Sequence, residues 1–558
     1  MEALAIGKKF AKIIVQKINN LLVKLLIIQV SRGKVLLPRK TPSELYEVFE
    51  NTNQSRYFNN KVLLPYVDIN LLNKVNIYKP NEILEVELMA SQMEKTFEMK
   101  GESKNLVLPL AILDKNGTDG AKPASISISF LGVKQELELK YKNRFHYLPL
   151  VADQSIQNFK IGSNNSQLAI GKPIFKDKKL IRNKPKLIVH IFLDAVPQCI
   201  IDEFGYKIMP NTKKFFSDGG TFFTNTYAQA EWTLSSIAGV FTGKYTNEHL
   251  LYHPRREDKI TDTTLADVLK DEGYLTYGCT NVPKLSPLNG FDKGFDRYVS
   301  AVDRDCDYII NEACEQLDAF GGNQYLFLGI FDTHEAHILQ PISSQVSNDL
   351  KDFQFKKLKG NSKNSSTLYD ENRINMFKNS ITYFDQKLKI LYDKIEKYDE
   401  NALVICHSDH GIDFMCNTNQ LLANEREKVV FFYKNNLKNK LDNNVKEIRE
   451  LPSMVCDHLH IKDQFKYTND GYAITESIYP QKEYELAVRN NKCVLFFKVP
   501  WQDVKKRNDN NYKFSVSYHL SGNEVEELKH DNNCFKMIEV AHKHYLILIQ
   551  NLATHRVL

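Results

Sequence analysis

Three strand-like apolar runs in the middle of the chain each end at residues that can bind a metal ion. The runs span residues 186–193, 324–331 and 402–407, and the residues that follow them are Asp194, Asp332-Thr333-His334 and Ser408-Asp409-His410-Gly411. Ligands of parallel α/β sheets bind at the carboxyl ends of the strands. The sequence therefore predicts one metal-dependent site, assembled from segments more than 200 residues apart in the chain.

The chain from residue 186 to residue 460 alternates strand-like and helix-like segments. Residues 263–273 have the capping residues and apolar spacing of a helix that ends at Gly273, and residues 275–279 have the pattern of the next strand. This alternation is typical of a doubly wound, mostly parallel α/β sheet, which we expect to be the catalytic core. Shorter strand-like runs within residues 461–558 predict a small C-terminal sheet, a subdomain of the same catalytic unit.

Residues 41–180 follow a different pattern, in which short β-rich runs are separated by turn signals. Alternation of serine with apolar residues at 125–130 fits a half-buried strand, so we expect an N-terminal β-sandwich domain. Residues 167–175 resemble the closing strand of jelly-roll carbohydrate-binding modules. A carbohydrate-binding sandwich and a purely structural sandwich both fit this pattern.

The positive charge of the chain is concentrated at its N-terminus. A length of 558 residues predicts two or three domains, and the net charge is +6. Residues 1–40 hold nine Lys or Arg residues and one acidic residue, so the body of the protein has no basic surplus that would indicate nucleic-acid binding. Apolar positions within residues 1–30 share one face of a helical wheel. Such a basic amphipathic helix can lie on an anionic membrane surface, or pack against protein.

The cysteines and the hydropathy pattern indicate the compartment. Nine cysteines are scattered without paired or Cys-X-X-Cys spacing, which predicts reduced thiols in the cytosol rather than a disulfide framework. No stretch reaches the roughly 20 apolar residues that cross a bilayer. We therefore expect a cytoplasmic protein that can dock peripherally at the inner face of the membrane through residues 1–30.

Residues 408–411, Ser-Asp-His-Gly, are the sharpest motif in the chain. Asp409 and His410 offer a carboxylate and an imidazole, and Asp194 adds a second carboxylate from the first strand. A nucleophile is expected at the start of a helix near the ion, where backbone N–H groups favour negative charge. The segment 230–243 offers three hydroxyl groups there, those of Thr233, Ser235 and Ser236. The alternative is that these hydroxyls only cap the helix.

Residues 186–460 resemble the alkaline phosphatase/sulfatase superfamily. The segments that carry this resemblance occur in the family's order: residues 209–227 (MPNTKKFFSDGGTFFTNTY), 242–245 (TGKY), 265–274 (LADVLKDEGY), 290–295 (GFDKGF), 332–337 (DTHEAH) and 408–411 (SDHG). The resemblance implies an alkaline-phosphatase-like fold for the catalytic core, and an enzyme.

Thr233 matches the family's nucleophile position, nine residues before Thr242-Gly243. Sulfatases carry Cys or Ser there within a Cys-X-Pro-Ser-Arg motif, whereas this chain has Ser235 and Ile237 where the motif has Pro and Arg. A threonine is similar to the phosphorus-transferring members, such as lipoteichoic acid synthase and phosphoethanolamine transferase. The resemblance then implies a metal ion held by Asp194, Asp409, His410 and Thr233, and a phosphothreonine intermediate.

The same resemblance favours one divalent ion, Mn²⁺ or Zn²⁺, over two. Members with two ions have an Asp followed four residues later by a His, but Ala336 stands four residues after Asp332. His334 instead matches the substrate-facing His of the one-metal transferases, where it contacts the phosphoryl group or acts as general acid. Further candidates for substrate binding are His337, Asn281 and Lys244.

These observations predict a metal-dependent phosphotransferase that moves a phosphoryl-linked group onto a glycan or lipid-linked glycan. Its partners would be a phosphorylated glycan or lipid-linked donor and a hydroxyl acceptor, with no nucleic acid. The first alternative is a phosphodiesterase or phosphonate-ester hydrolase. A sulfatase and a non-catalytic glycan-binding protein come after it.

Overall fold

The computed structural model describes the strands within residues 61–175 and most of the chain from residue 181 to residue 554. The gaps in this second part are residues 182, 253–258, 302–303, 335–368, 417–419, 438–439, 466, 468–470, 479–482, 508–510, 519–523 and 526–531. The basic segment 1–40 and His337 lie outside the described residues, so the predictions for them stay predictions.

The chain divides into two compact units, Met1–Asp177 with Asp318–Phe320, and Lys178–Leu317 with Gly321–Leu558. The described strands of the first unit are β1 (Lys61–Val62), β2 (Tyr66–Ile69), β3 (Val75–Tyr78), β4 (Leu84–Met89), β5 (Glu94–Lys100), β6 (Asn105–Leu113), β7 (Ala124–Phe130), β8 (Val133–Leu139), β9 (Phe145–Val151), β10 (Ile156–Ser163), β11 (Gln167–Gly171) and β12 (Ile174–Phe175).

The first unit is a β-sandwich, as the sequence predicted. One antiparallel sheet has the order β1-β4-β11-β6-β12 with β9 on β6, and a second has the order β5-β10-β7-β8. Alternate residues of both sheets share one buried cluster, for example Leu108 and Leu110 from β6 with Ile126 and Ile128 from β7. Side chains of a strand alternate between its faces, so this period of two buries one face of each sheet.

The strands of the second unit are β13 (Leu187–Leu193), β14 (Gly220–Tyr227), β15 (Leu275–Thr280), β16 (Arg297–Ser300), β17 (Gln324–Ile330), β18 (Leu403–Ser408), β19 (Lys428–Lys434), β20 (Lys440–Asp442), β21 (Lys446–Glu447), β22 (Ala473–Ser477), β23 (Glu483–Arg489), β24 (Cys493–Pro500), β25 (Lys513–Tyr518) and β26 (Glu524–Val525). Its α-helices are α1 (Gln198–Phe204), α2 (Pro210–Phe216), α3 (Thr233–Thr242), α4 (Thr246–His249), α5 (Leu265–Asp271), α6 (Cys306–Phe320), α7 (Glu371–Tyr398), α8 (Asn424–Glu427), α9 (Leu451–Leu459), α10 (Trp501–Lys506) and α11 (Asn532–Thr554).

A nine-stranded mixed sheet forms the centre of this unit. Its order is β16-β15-β17-β13-β18-β19-β14-β20, with β21 also on β14. The first five strands run parallel, whereas β19 is antiparallel to β18 and β14 is antiparallel to β19. Every residue of β13, β17 and β18 is buried, as expected for parallel strands covered on both faces. The predicted doubly wound α/β core is therefore confirmed.

Helices cover both faces of the central sheet. Ile405 of β18 belongs to the same buried cluster as Leu234 of α3 and Leu269 of α5. Cys406, the next residue along β18, lies near Asp385 and Tyr392 of α7. Because neighbouring residues of a strand point to opposite faces, α3 and α5 lie on one side of the sheet and α7 lies on the other.

A five-stranded antiparallel sheet, β22-β23-β24-β25-β26, follows the central sheet in the chain. Its apolar residues pack with α11, for example Leu486 and Phe497 with Tyr545 and Leu548. This is the small terminal sheet that the short strand-like runs predicted. None of the described helices is both long enough and apolar enough to cross a membrane.

Asp385 of α7 caps the N-terminal end of helix α2, on the side of the central sheet that α7 covers. Its Oδ2 accepts hydrogen bonds from the backbone N–H of Asn211 at 2.9 Å and from the Asn211 side chain at 3.0 Å. Its Oδ1 accepts from the backbone N–H of Thr212 at 2.9 Å and from the Thr212 hydroxyl at 2.6 Å. These N–H groups have no partner within the helix, and a carboxylate also interacts well with the positive end of the helix dipole.

Replacing Asp385 by Ala should lower the free energy of unfolding by about 3 kcal/mol, because four donors, two of them on the buried Thr212, lose a charged acceptor. Urea unfolding followed by circular dichroism measures the change. Asp393→Ala on the same helix is the matched control, since Asp393 pairs with Lys389 on the surface, where its side chain is 61% exposed. The control should change stability by less than about 0.5 kcal/mol. Equal effects of both substitutions would contradict the capping role.

Candidate active site

The three strand ends that the sequence singled out lie side by side. Strand β13 pairs in parallel with β17, where Leu193 is opposite Ile330, and with β18, where Leu193 is opposite Ser408. Asp194 and Asp409 are the next residues of β13 and β18, so the sheet register places them next to each other. Segments 215 residues apart therefore meet because two strands are neighbours in the sheet, as the sequence predicted.

Backbone geometry turns the two carboxylates toward a common point. Ala195, which follows Asp194, has φ +58°, a left-handed conformation that few residues other than glycine adopt. In this turn the Ala195 N–H donates to Asp409 Oδ1 at 3.0 Å. The His410 N–H donates to the same oxygen at 2.9 Å. One oxygen of Asp409 is thus fixed by the backbone, and its other oxygen faces the site.

Hydrogen bonding orients the ring of His410, a candidate metal ligand. Its Nδ1 lies 2.7 Å from the carbonyl oxygen of Gly411, so Nδ1 carries the proton and donates it. Nε2 then keeps its lone pair and lies 3.3 Å from Asp409 Oδ2 and 4.0 Å from Asp194 Oδ1. Gly411 itself is required by close packing, because a Cβ at this position would lie 2.3 Å from the carbonyl oxygen of Glu425.

Thr233 is the first residue of α3 and is 6% exposed. Its Oγ1 lies 3.3 Å from His410 Nε2, so the hydroxyl faces the same point as the two carboxylates. The other two hydroxyl candidates are engaged elsewhere. Ser235 donates to the carbonyl oxygen of Leu251 at 2.9 Å, and Ser236 donates to the carbonyl oxygen of Asp409 at 2.8 Å. The structure therefore leaves Thr233 as the hydroxyl at the site.

The electrostatics of this group fit a cation. Asp194, Asp409 and His410 offer ligand atoms that all lie within 4.8 Å of one another. Within the described part of the chain, both carboxylate oxygens of Asp194 and Oδ2 of Asp409 have no hydrogen-bond partner, although both residues are fully buried. Burial, and next the nearby Asp409, hold the pKa of Asp194 well above its ordinary value. Two buried carboxylates this close ionise together only when a cation offsets their charge.

Asp332 is not part of this group, because both of its carboxylate oxygens have other hydrogen-bond partners. Its Oδ2 accepts from the Asn281 side chain at 2.8 Å, and its Oδ1 accepts from the backbone N–H of Cys306 at 3.0 Å. Burial raises the pKa of Asp332 to about 6, and these two hydrogen bonds oppose the rise. Both oxygens are therefore used to hold the loop after β17.

Asn281 was expected to bind substrate, and the structure gives it a different role. The residue is 1% exposed, and its amide group donates to Asp332 and, at 2.7 Å, to the carbonyl oxygen of Arg304. Its oxygen accepts from the backbone N–H of Phe331 at 2.7 Å. An amide with these three bonds and no exposure is occupied by the fold, so Asn281 is no longer a candidate for substrate contact.

Lys244 lies at the opposite end of α3 from Thr233. It follows the C-terminal end of α3, whereas Thr233 begins that helix, and ten residues of α-helix span about 15 Å. The Lys244 ammonium pairs with Asp262 at 2.5 Å. The prediction that Lys244 binds substrate beside Thr233 is therefore not supported.

His334 lies at the same sheet edge as the metal-ligand candidates, four residues after the end of β17. Its backbone N–H donates to the carbonyl oxygen of Phe331 at 2.9 Å, and its ring stacks on the Phe331 ring with centroids 4.5 Å apart. These contacts place the imidazole in the loop beside Asp194, whose carbonyl oxygen accepts a hydrogen bond from Thr333. His334 remains the candidate for the phosphoryl-facing histidine.

No motif in the sequence singled out three polar residues near the site, which are Glu231, Glu427 and Ser477. Glu231 precedes Thr233 by two residues, and Ser477 of β22 donates to its Oε1 at 2.6 Å. Glu427 is fully buried, and burial, opposed by Arg489 and reinforced by the charges of Glu231 and Asp409, raises its pKa to about 8. The position of Glu231 two residues before Thr233 can be read from the sequence, whereas its contact with Ser477 cannot.

Residues 186–429 match the sulfatase family model. No curated protein matches the chain significantly. Among similar solved structures, BT4656 in complex with its substrate D-glucosamine-2-N,6-O-disulfate is 12% identical, with 65% of this chain and 98% of that chain covered and a TM-score of 0.49. An alkaline phosphatase superfamily protein from Vibrio parahaemolyticus is 14% identical, with 67% and 89% covered and a TM-score of 0.46. The phosphonate monoester hydrolase of Agrobacterium radiobacter is 11% identical, with 66% and 96% covered and a TM-score of 0.47.

The family match spans β13 with Asp194, helix α3 with Thr233, and β18 with Asp409 and His410. It therefore covers the strand ends and the helix that build the candidate site. Members of this family are enzymes that usually bind a divalent metal ion. The match identifies residues 186–429 as similar to the sulfatase family, and it supports a sulfatase-like enzyme.

Proposed function

We propose that this enzyme is a metal-dependent phosphotransferase that moves a phosphoryl-linked group onto a glycan or a lipid-linked glycan. The observation that carries the proposal is Thr233, whose hydroxyl begins a helix and faces His410 Nε2 at 3.3 Å. The first amide N–H groups of α3 point in the same direction and favour negative charge on a bound phosphoryl group.

The chemistry of threonine argues against sulfate-ester hydrolysis. The sulfatase nucleophile is a hydroxyl of a hydrated aldehyde, and that aldehyde is made by oxidising a Cys or Ser side chain, whose β-carbon is a CH₂ group. The β-carbon of Thr233 carries a methyl group, so oxidation at this carbon cannot give an aldehyde. A threonine hydroxyl acts as a nucleophile in its own right, and the phosphoester that it forms with phosphorus is a stable enough intermediate to be passed on.

The residues of the chain then have the following roles. Asp194, Asp409, His410 and Thr233 would hold one Mn²⁺ or Zn²⁺ ion, which when bound lowers the pKa of a hydroxyl ligand and offsets charge on phosphoryl oxygens. Thr233 Oγ1 attacks phosphorus in line, and the bond to the leaving oxygen breaks as phosphothreonine forms. His334 gives a proton to the leaving oxygen. It later takes a proton from the acceptor hydroxyl, whose oxygen attacks phosphothreonine as the bond from phosphorus to Thr233 Oγ1 breaks and frees the threonine oxygen.

The proposal also covers the substrates of the enzyme and its location in the cell. The donor is a phosphorylated glycan or lipid-linked molecule, and the acceptor is a hydroxyl group, not a nucleic acid. All nine cysteines are free thiols, which fits a reducing compartment. We place the enzyme in the cytoplasm, where the basic segment 1–30 can dock on the anionic inner face of a membrane.

Thr233→Ala should abolish Mn²⁺- or Zn²⁺-dependent cleavage of bis-p-nitrophenyl phosphate, lowering kcat/KM at least about 10³-fold because the nucleophile is lost. Initial rates of p-nitrophenol release measure the change. Thr233→Ser keeps a hydroxyl and should retain measurable activity. Ser235→Ala is the control from the same helix turn, because its hydroxyl bonds to Leu251 and not to the site. Undiminished activity of Thr233→Ala would sink the proposal.

Product analysis decides whether the phosphorus-bound group goes to an acceptor or to water. In the presence of glycerol or a glycan with free hydroxyls, a transferase should give the phosphodiester of that acceptor as its main product. Mass spectrometry of the products distinguishes this from the free monoester. A product mixture that contains only the monoester at high acceptor concentration would favour the alternative, a phosphodiesterase or phosphonate-ester hydrolase.

Asp194→Asn should raise the stability of the metal-free protein and abolish its stabilisation by metal. The first effect follows because the substitution removes one of two buried carboxylates that repel each other. The second follows because a ligand is lost, and wild-type protein should gain about 2.7 kcal/mol at a metal concentration of 100 times Kd. Thermal unfolding with EDTA, Mn²⁺ or Zn²⁺ measures both effects.

Asp413→Asn is the control for this experiment. Asp413 follows Asp409 by four residues, but its side chain is 57% exposed and pairs with Arg426 at 2.9 Å. The control should keep the full stabilisation by metal. If neither ion stabilises the wild-type protein, and neither remains bound after gel filtration, the metal assignment is wrong.

A further inference from the structure

The segment that leads into Thr233 is held between two sheets. On one side, the backbone N–H of Ala228 donates to the carbonyl oxygen of Glu427 at 2.8 Å, at the start of β19 of the central sheet. On the other side, Ala230 pairs in parallel with Glu476 of β22, whose N–H donates to the carbonyl oxygen of Gln229 at 3.0 Å. Residues 228–230 therefore form a bridge from the central sheet to the C-terminal sheet.

Side chains of β22 extend this contact along the segment. The Thr475 hydroxyl donates to the carbonyl oxygen of Ala228 at 2.6 Å, and the buried guanidinium of Arg489 donates to the same hydroxyl at 2.9 Å. Two residues further on, the hydroxyl of Ser477 donates to Glu231 Oε1 at 2.6 Å. Ser477 is 3% exposed, so water does not compete freely for this hydrogen bond.

The segment is also fixed to the helix that carries the nucleophile. The side-chain amide of Gln229 donates to the carbonyl oxygen of Ser236 in α3. It lies so close to Gly239 that a Cβ there would be 2.2 Å from Gln229 Nε2. A displacement of residues 228–231 is therefore transmitted to α3, and Thr233 is two residues beyond Glu231.

From these contacts we propose that Glu231 and Ser477 are positioning residues for Thr233, through which the C-terminal sheet sets the place of the nucleophile. The inference rests on the proposed role of Thr233. Strand β22 is almost 250 residues away from Glu231 in sequence. In this proposal it determines the position of the Thr233 hydroxyl relative to the phosphorus atom. A misplacement of about 1 Å is enough to slow such an attack by about 100-fold.

Glu231 meets the Ser477 hydroxyl with a carboxyl oxygen. Either protonation state leaves an oxygen that can accept from Ser477, so the anchor needs an acceptor and not a full charge. A glutamine at position 231 offers the same acceptor, whereas an alanine does not.

Kinetics of the full-length enzyme on bis-p-nitrophenyl phosphate with Mn²⁺ test the proposal. Ser477→Ala and Glu231→Ala should each lower kcat about 10- to 100-fold, with KM changed by less than about threefold, since attack and not binding is impaired. The double variant should be no slower than the slower single variant, because both remove one interaction. Glu231→Gln and Ser477→Thr should recover most of the rate.

The matched control is Ser515→Ala, a serine in β25 of the same sheet, three strands away from β22. It should leave kcat unchanged. A kcat of Ser477→Ala and Glu231→Ala equal to that of Ser515→Ala would overturn the proposal, while inactivity of Thr233→Ala in the same assay would leave the proposed function standing. Loss of activity in Ser477→Ala that Ser477→Thr fails to recover would overturn it as well.

A second readout does not depend on turnover. Trp232 lies between Glu231 and Thr233, and Trp501 is the other tryptophan of the chain. In a Trp501→Phe background, Ser477→Ala should increase the acrylamide quenching of Trp232 at least twofold, and Ser515→Ala should not. Equal quenching in both variants would show that the Ser477 contact does not hold the segment, and would overturn the proposal even if the substrate class were wrong.

Discussion

Strand β13 lies between β17 and β18, and this parallel pairing determines where the chemistry of the protein is located. Leu193 is opposite Ile330 on one side and opposite Ser408 on the other. The register delivers Asp194 and Asp409 to adjacent strand ends, and a shift of one residue would turn one of the two carboxylates to the wrong face. The fully buried strands, the helices on both faces and the left-handed turn at Ala195 all serve to hold that register.

Two buried carboxylates side by side destabilise the site unless another group offsets their charge. Asp194 and Asp409 are buried beside each other, and the atoms they turn toward the site have no hydrogen-bond partner among the described residues. His410 donates from Nδ1 to the carbonyl oxygen of Gly411, and its Nε2 faces the site. A cation is the group that satisfies all of these atoms at once, because it offsets the repulsion and accepts the lone pairs.

The C-terminal sheet contacts the segment that leads into Thr233. Its first strand pairs with the segment before Thr233, and Thr475 and Ser477 reach Ala228 and Glu231 of that segment. The order of elements in the chain hides this relation, since β22 follows the family-matched region by more than 40 residues. The candidate site therefore draws on two sheets, one that positions the carboxylates and one that borders the segment before Thr233.

The sequence by itself determined the elements that local patterns encode. Apolar runs predicted β13, β17 and β18, their terminal residues predicted Asp194, Asp409 and His410, and motif order selected Thr233. Strand-end residues are readable because parallel strands bring their carboxyl ends to one edge whatever the details of packing.

Only the tertiary structure decided which polar side chains are free to act. Asn281 and Lys244 have residue types suited to binding phosphate, but Asn281 holds the loop after β17 and Lys244 pairs with Asp262 at the far end of α3. Ser477 carries no local signal, and its contact with Glu231 exists because β22 lies against a segment 246 residues earlier in the chain. Hydrogen bonds between distant segments depend on the packing of whole sheets, and a one-dimensional pattern contains no record of that packing.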